Sequence, residues 1–172
     1  MHSTPPTGGS NSEPETVYTL EDLNGWDRPG VWLAVIGCPI RHSISPQMQN
    51  AALRDIMRRN PEFANWRYVR FEIPAEQFAE ALPVFHRKRF YGLNLTIPHK
   101  VQALDLVTEA DREAQLMGAV NTLVRDEAGY RGFNTDGYGI RSGVYTDLNR
   151  QLRSADVVIL GAGGAARAAS SR

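Results

Sequence analysis

The chain has 172 residues, 42% hydrophobic and 22% charged, an ordinary globular composition. Its 19 Lys and Arg balance its 19 Asp and Glu, so nothing in the charge calls for a nucleic-acid partner or an anionic membrane surface. Cys38 is the only cysteine, which excludes an intrachain disulfide and favours a cytoplasmic setting, and no apolar run approaches the roughly 20 residues of a membrane span.

Residues 1–16, "MHSTPPTGGSNSEPET", lack both the basic start and the apolar stretch of a secretory signal and read as a disordered tail. "VWLAVIG" (Val31 to Gly37) is a buried strand by its β-branched apolar run and closing glycine. In "SPQMQNAALRDIMRRN", Ser45 is placed to cap a helix and Pro46 suits its first turn. Met48, Ala51, Ala52 and Ile56 keep helical spacing there and are the expected buried face. "WRYVRFEI" (Trp66 to Ile73) alternates as a strand does. "PAEQFAEALPVFHRKRF" reads as a helix disturbed at Pro83. "GLNLTI" is a strand, "PHKVQALDLV" and "EADREAQLMG" are short helices, and "AVNTLVR" and "GYRGF" are strands joined by a turn at "DEAG". "NTDGYGIRSGVYTDLNRQL" is helix-like but weakened by its glycines, and Val157 to Leu160 reads as a last buried strand before "GAGGAARA".

Strands alternating with helices predict an α/β fold with a mainly parallel sheet and helices on both faces. In such sheets the functional loops gather at the carboxyl ends of the strands, where "HSISP", "TIPHK" and "NTDG" are expected. Ser43 and Ser45 offer two hydroxyls at a strand-to-helix junction, a place that suits a carboxylate, though local pattern alone favours a turn and a cap. Thr96 and Lys100 lie four apart, one helical turn if the helix starts near Ile97. Lys100 in a closed cleft is a candidate acid or base, and otherwise an ordinary solvated lysine. Asn121 is expected in mid-strand, where a buried amide needs partners. Asp136 opens a helix, as an N-cap or as the charge partner of Lys100. His42, His86 and His99 have no metal-ligand spacing with one another or with Cys38, so no metal site is expected. "GAGGAA" fits G-x-G-x-x-A at Gly161, Gly163 and Ala166, after an apolar run and before a helix, as a dinucleotide loop requires.

Taken in order, "VIGCPIRHSISPQMQNAAL", "GLNLTIPHK", "GAVNTLV", "GFNTDGYG" and "ILGAGGAARA" resemble the signature blocks of the shikimate dehydrogenase family from Val31 to Ala168. The resemblance implies a substrate-binding α/β domain over 17–150, then the first strand and glycine loop of a Rossmann domain over 151–172. It implies NADPH-dependent, reversible reduction of 3-dehydroshikimate to shikimate in aromatic amino acid biosynthesis. Ser43 and Ser45 match the hydroxyls that hold the substrate carboxylate, and Thr96, Asn121 and Asp136 match contacts to the carboxylate or ring hydroxyls. Lys100 and Asp136 match the catalytic pair. Gly161, Ala162, Gly163, Gly164 and Ala165 fall in the matching diphosphate loop. The expected partner is the small-molecule substrate, without nucleic acid or membrane, and a homodimer is compatible with the family.

Where the family often carries His-Asn in the helix after "HSISP", this chain has Gln49 and Asn50. The residue that reads the adenosine ribose is expected roughly 20 positions beyond the glycine loop, past Arg172. The loop alone therefore does not separate NADP from NAD, although the family favours NADP. On these grounds the chain is expected to be the N-terminal part of such an enzyme and catalytically incomplete alone. A non-catalytic module sensing shikimate or quinate, and a quinate/shikimate dehydrogenase, are the alternatives. The Lys100 and Asp136 pair favours an enzyme, and the two serines favour shikimate.

Overall fold

The structure, a computed structural model, describes residues 16–152 and 156–161. The expected tail therefore lies outside the described residues except for Thr16. In chain order the elements are β1 (Val17–Tyr18), α1 (Leu20–Asn24), β2 (Val31–Gly37), α2 (Ser45–Arg59), β3 (Trp66–Glu72), α3 (Ala75–Arg87), β4 (Gly92–Leu95), α4 (His99–Gln102), β5 (Glu109–Ala110), α5 (Arg112–Met117), β6 (Thr122–Arg125), β7 (Tyr130–Phe133) and α6 (Asp136–Leu148). Short 3-10 turns cover Pro61–Asn65 and Ala103–Asp105.

The strands form one seven-stranded sheet in the order β1-β3-β2-β4-β6-β7-β5. β1 with β3, β2 with β3, β2 with β4, and β5 with β7 are parallel; β6 runs antiparallel to both β4 and β7. The sheet is thus mainly parallel, as the alternation of strands and helices predicts, with one reversed strand in its middle.

Alternation along β2 divides the core between the two faces. Ala34 and Ile36 join a cluster with Leu23 of α1, Phe78, Ala81, Leu82 and Phe85 of α3, and Phe71 and Phe90. Val35 faces the other way, with Ile40, Tyr68 and Leu53 of α2. Helices therefore cover both faces. In the larger cluster Phe71 meets Phe85 and Phe90 edge-on, with ring centroids 4.9 and 5.6 Å apart, a geometry aromatic quadrupoles favour. α3 runs unbroken through Pro83, carried by the buried stripe on either side of it.

α2 differs from its sequence reading in two ways. Met48, Ala51, Ala52 and Ile56 are exposed, and the inward positions are Pro46, Asn50 and Leu53. The reason is polar. β1 covers the edge of β3 only at Arg70 and Phe71. At Tyr68 the Asn50 amide takes over: Nδ2 donates to the Tyr68 carbonyl at 2.8 Å, and Oδ1 accepts from the Tyr68 N–H at 2.9 Å. The N-cap, moreover, is Ile44 rather than Ser45, with no side-chain cap bond, and the Ser45 N–H donates to Ser43 Oγ at 3.3 Å.

The expected strand at Val157 to Leu160 is not formed. These residues are exposed and irregular, because no described strand offers them a ladder.

Candidate active site

The carboxyl ends of β2, β4 and β7 and the start of β6 lie at the same end of the sheet. Because β6 is antiparallel to its neighbours, its first residues lie beside the last residues of β4 and β7. The Leu95 N–H donates to the Asn121 carbonyl at 2.8 Å, and the Asn121 N–H donates to the Phe133 carbonyl at 3.0 Å. Asn121 thus precedes β6 instead of sitting in mid-strand, and enters the site from the amino end of a reversed strand.

Three of the candidate residues converge there. Lys100 Nζ donates to Asp136 Oδ2 at 2.7 Å, and Asn121 Nδ2 donates to Asp136 Oδ1 at 2.7 Å. The Lys100 and Asp136 side chains are 21% and 26% exposed, so the pair is sheltered yet open to a ligand. α4 begins at His99, so Thr96 lies ahead of it and the two residues do not share a helical face. Asp136 is the first residue of α6 after Thr135, which makes no side-chain cap bond. Its carboxylate is spent on Lys100 and Asn121.

Ser43, Ser45 and Thr96 line a cavity of 330 Å³ with His42, Ile40 and Val35. The loop and the Thr96 segment are tied together where the Cys38 N–H donates to the Ile97 carbonyl at 3.0 Å. Gly37 makes this approach feasible, since a Cβ there would collide with the Thr96 side chain and lie 2.9 Å from Ile40 Cδ1. Cys38–Pro39 and Ile97–Pro98 are both cis.

Several residues that build the site were not singled out from the sequence. Arg70, 5% exposed on β3, donates from Nη1 to the Arg41 carbonyl at 2.6 Å and the Ser43 carbonyl at 3.0 Å. Glu72 Oε2 accepts from the Ile40 N–H at 3.0 Å. Together they pin the serine loop from the end of β3. Buried Asn134 donates to the Ala119 carbonyl at 2.8 Å and accepts from the Asp136 N–H at 2.9 Å, fixing the start of α6. In sequence, Arg70 and Glu72 read only as the polar phase of an alternating strand.

His99 is fully buried beside Lys100, stacked on Phe78 with ring centroids 4.4 Å apart, and neither ring nitrogen has a hydrogen-bond partner among the described residues. Burial pushes its pKa below the ordinary value, against a smaller opposing effect of the Ile73 backbone, so the ring is a neutral packing element.

Of the expected cofactor loop, Gly161 is described, and Ala162, Gly163, Gly164 and Ala165 lie outside the described residues. Gly161 has φ +119°, a conformation that favours glycine, and among the described residues an added Cβ would meet nothing within 4 Å.

Comparison with known proteins bears on this geometry. Residues 35–123 match the family described as shikimate dehydrogenase substrate binding domain. Shikimate dehydrogenase (NADP(+)) of Methanopyrus kandleri is 41% identical over 138 residues, covering 80% of this chain and 46% of that protein. Its counterpart in Geobacter metallireducens is 42% identical over 137 residues, with the same coverage of 80% and 46%. A Thermus thermophilus shikimate 5-dehydrogenase structure, in complex with NADP(H) and shikimate, superposes with a TM-score of 0.71 at 36% identity, over 80% of this chain and 49% of that one. The chain spans about half the length of the curated relatives it matches. A sheet of this topology, a paired lysine and aspartate at the carboxyl end of its strands and a family match over residues 35–123, which include Lys100, lead to one assignment: the chain belongs to the shikimate dehydrogenase substrate-binding domain family.

Proposed function

We propose that this chain carries the shikimate-binding half of a shikimate dehydrogenase site, used for reversible, NADPH-dependent reduction of 3-dehydroshikimate. The observation that carries the reading is the convergence of Lys100, Asp136 and Asn121 at 2.7 Å contacts beside the cavity lined by Ser43, Ser45 and Thr96. One end suits a carboxylate, with hydroxyls and a helix start. The other offers a lysine and a carboxylate for ring hydroxyls and for the reacting oxygen.

NADP, held in part by the loop opening at Gly161 with Ala162, Gly163, Gly164 and Ala165, supplies hydride chemistry when bound. In the reductive direction negative charge grows on the ketone oxygen. The Lys100 ammonium stabilises that charge and delivers the proton, while Asp136 orients Lys100 and holds the neighbouring hydroxyl. Asn121 fixes the Asp136 carboxylate from its other oxygen. The same reading gives the protein a cytoplasmic setting, supported by its single cysteine, and admits a homodimer, which sedimentation tests.

Calorimetric titration with shikimate is the direct test. No tryptophan lines the serine cavity, so heat is a better signal than intrinsic fluorescence. One shikimate per chain is expected, with affinity falling roughly tenfold or more in Asp136→Ala, which loses a charged hydrogen-bonding group. Absent binding, or binding indifferent to both Asp136→Ala and Ser43→Ala, overturns the reading.

A further inference from the structure

Half-buried polar side chains within a sheet are costly unless each is bonded, and β4 and β6 carry a run of them. Tyr68 Oη, on β3, donates across β2 to Asn94 Oδ1 on β4 at 2.7 Å. Asn94 Nδ2 donates to Thr122 Oγ1 at 3.2 Å, and Thr122 Oγ1 donates to Asn121 Oδ1 at 2.9 Å. Asn121 Nδ2 then donates to Asp136 Oδ1, whose other oxygen takes Lys100. Every link runs in one direction, from a phenol to a carboxylate.

We propose that Tyr68 is a positioning residue for the Lys100–Asp136 pair, heading a one-way hydrogen-bond chain through Asn94 and Thr122 that fixes which end of the Asn121 amide faces Asp136.

The donor inventory enforces the direction. Tyr68 is 4% exposed, and Asn94 Oδ1 is the acceptor within reach of its proton among the described residues. Burial holds its pKa well above the usual phenol value, so the proton stays on. An Asn94 amide turned end for end would strand that proton. Asn94 therefore keeps its oxygen toward Tyr68 and its nitrogen toward Thr122. Thr122 has one hydroxyl hydrogen and, having accepted from Asn94, spends it on Asn121 Oδ1. The Thr135 N–H supports the same oxygen at 3.1 Å. That leaves Nδ2 of Asn121 facing the carboxylate. Bonds aligned in this way also polarise one another.

The test is the side-chain NH2 resonances of Asn121 by 15N–1H NMR, read beside shikimate affinity by calorimetry. Tyr68→Phe removes the first donor and Thr122→Val breaks the middle without changing shape. Both are expected to move the Asn121 NH2 resonances and weaken shikimate roughly three- to tenfold, the worth of one hydrogen bond, and Thr122→Ser is expected to restore both. If Tyr68→Phe does not fold, Asn94→Asp replaces it. Two acceptor oxygens there draw the Thr122 hydrogen away from Asn121, with the same expected shift. Asn121 resonances unmoved by either Thr122→Val or the variant at the head of the chain overturn the proposal. The affinity arm rests on the shikimate reading given above. A parent chain that binds no shikimate removes that reading, while the NMR arm still decides the chain of bonds.

Discussion

At Gly37 the serine loop and the Thr96 segment come closest, and the absence of a side chain there is what permits it. Gly37→Ala is expected to destabilise the protein by roughly 1–3 kcal/mol, the cost of overpacking a rigid contact, because Ile40 and the Thr96 side chain must both move. Chemical denaturation measures this, and shikimate affinity should fall with it because Thr96 lines the cavity. Asn134→Ala is expected to cost about 1–3 kcal/mol, since it leaves the buried Ala119 carbonyl without its donor and frees the Asp136 N–H. Lys100, Asp136, Asn121, Ser43, Ser45 and Thr96 were legible in the sequence because each lies in a block that resembles the family's; residue type alone also allowed turns, caps and a solvated lysine. Arg70, Glu72 and Asn134 were not, because their roles exist only across the sheet: Arg70 serves carbonyls 27 and 29 residues away.

Among the elements, β2 and β3 follow the sequence closely, β2 as a β-branched apolar run closed by glycine and β3 as an alternating, aromatic-rich stretch. The face of α2 and the position of Asn121 do not. In α2 the apolar spacing predicts Met48 and Ile56 inward, but the Tyr68 backbone needs an amide, and that polar demand sets the rotation of the helix. Asn121 shifts because periodicity says nothing of strand direction, and β6 is reversed. The glycines of α6 are a local weakness with no close packing to explain them among the described residues, where a Cβ at Gly139 or Gly143 would meet nothing within 4 Å. Gly139→Ala and Gly143→Ala are each expected to stabilise by about 0.5–1 kcal/mol through lower chain entropy in the unfolded state. Melting temperatures about 1–4 °C higher for each would show it.

For the whole molecule, three buried titratable groups among the described residues shape stability against pH. Burial holds His99 below its ordinary 6.5, so the unfolded chain takes up that proton first as pH falls. Its contribution is full above 6.5 and is lost as pH falls from there toward the folded value. Tyr68 and Tyr130 are held above their ordinary 10.0, so the unfolded chain releases those protons first, and stability is lost as pH rises above 10.0. Melting temperature against pH should fall at both ends, and His99→Phe, which keeps the stack on Phe78, should flatten the acid side alone. The Asn50 amide on the Tyr68 backbone also has a meaning in time. α2 precedes β3 in the chain, so during synthesis the group that seals this strand edge is made before the strand it seals. In the folded chain a side chain thus stands where a further strand would, and the backbone groups at Tyr68 that a neighbouring polypeptide could pair with are already taken.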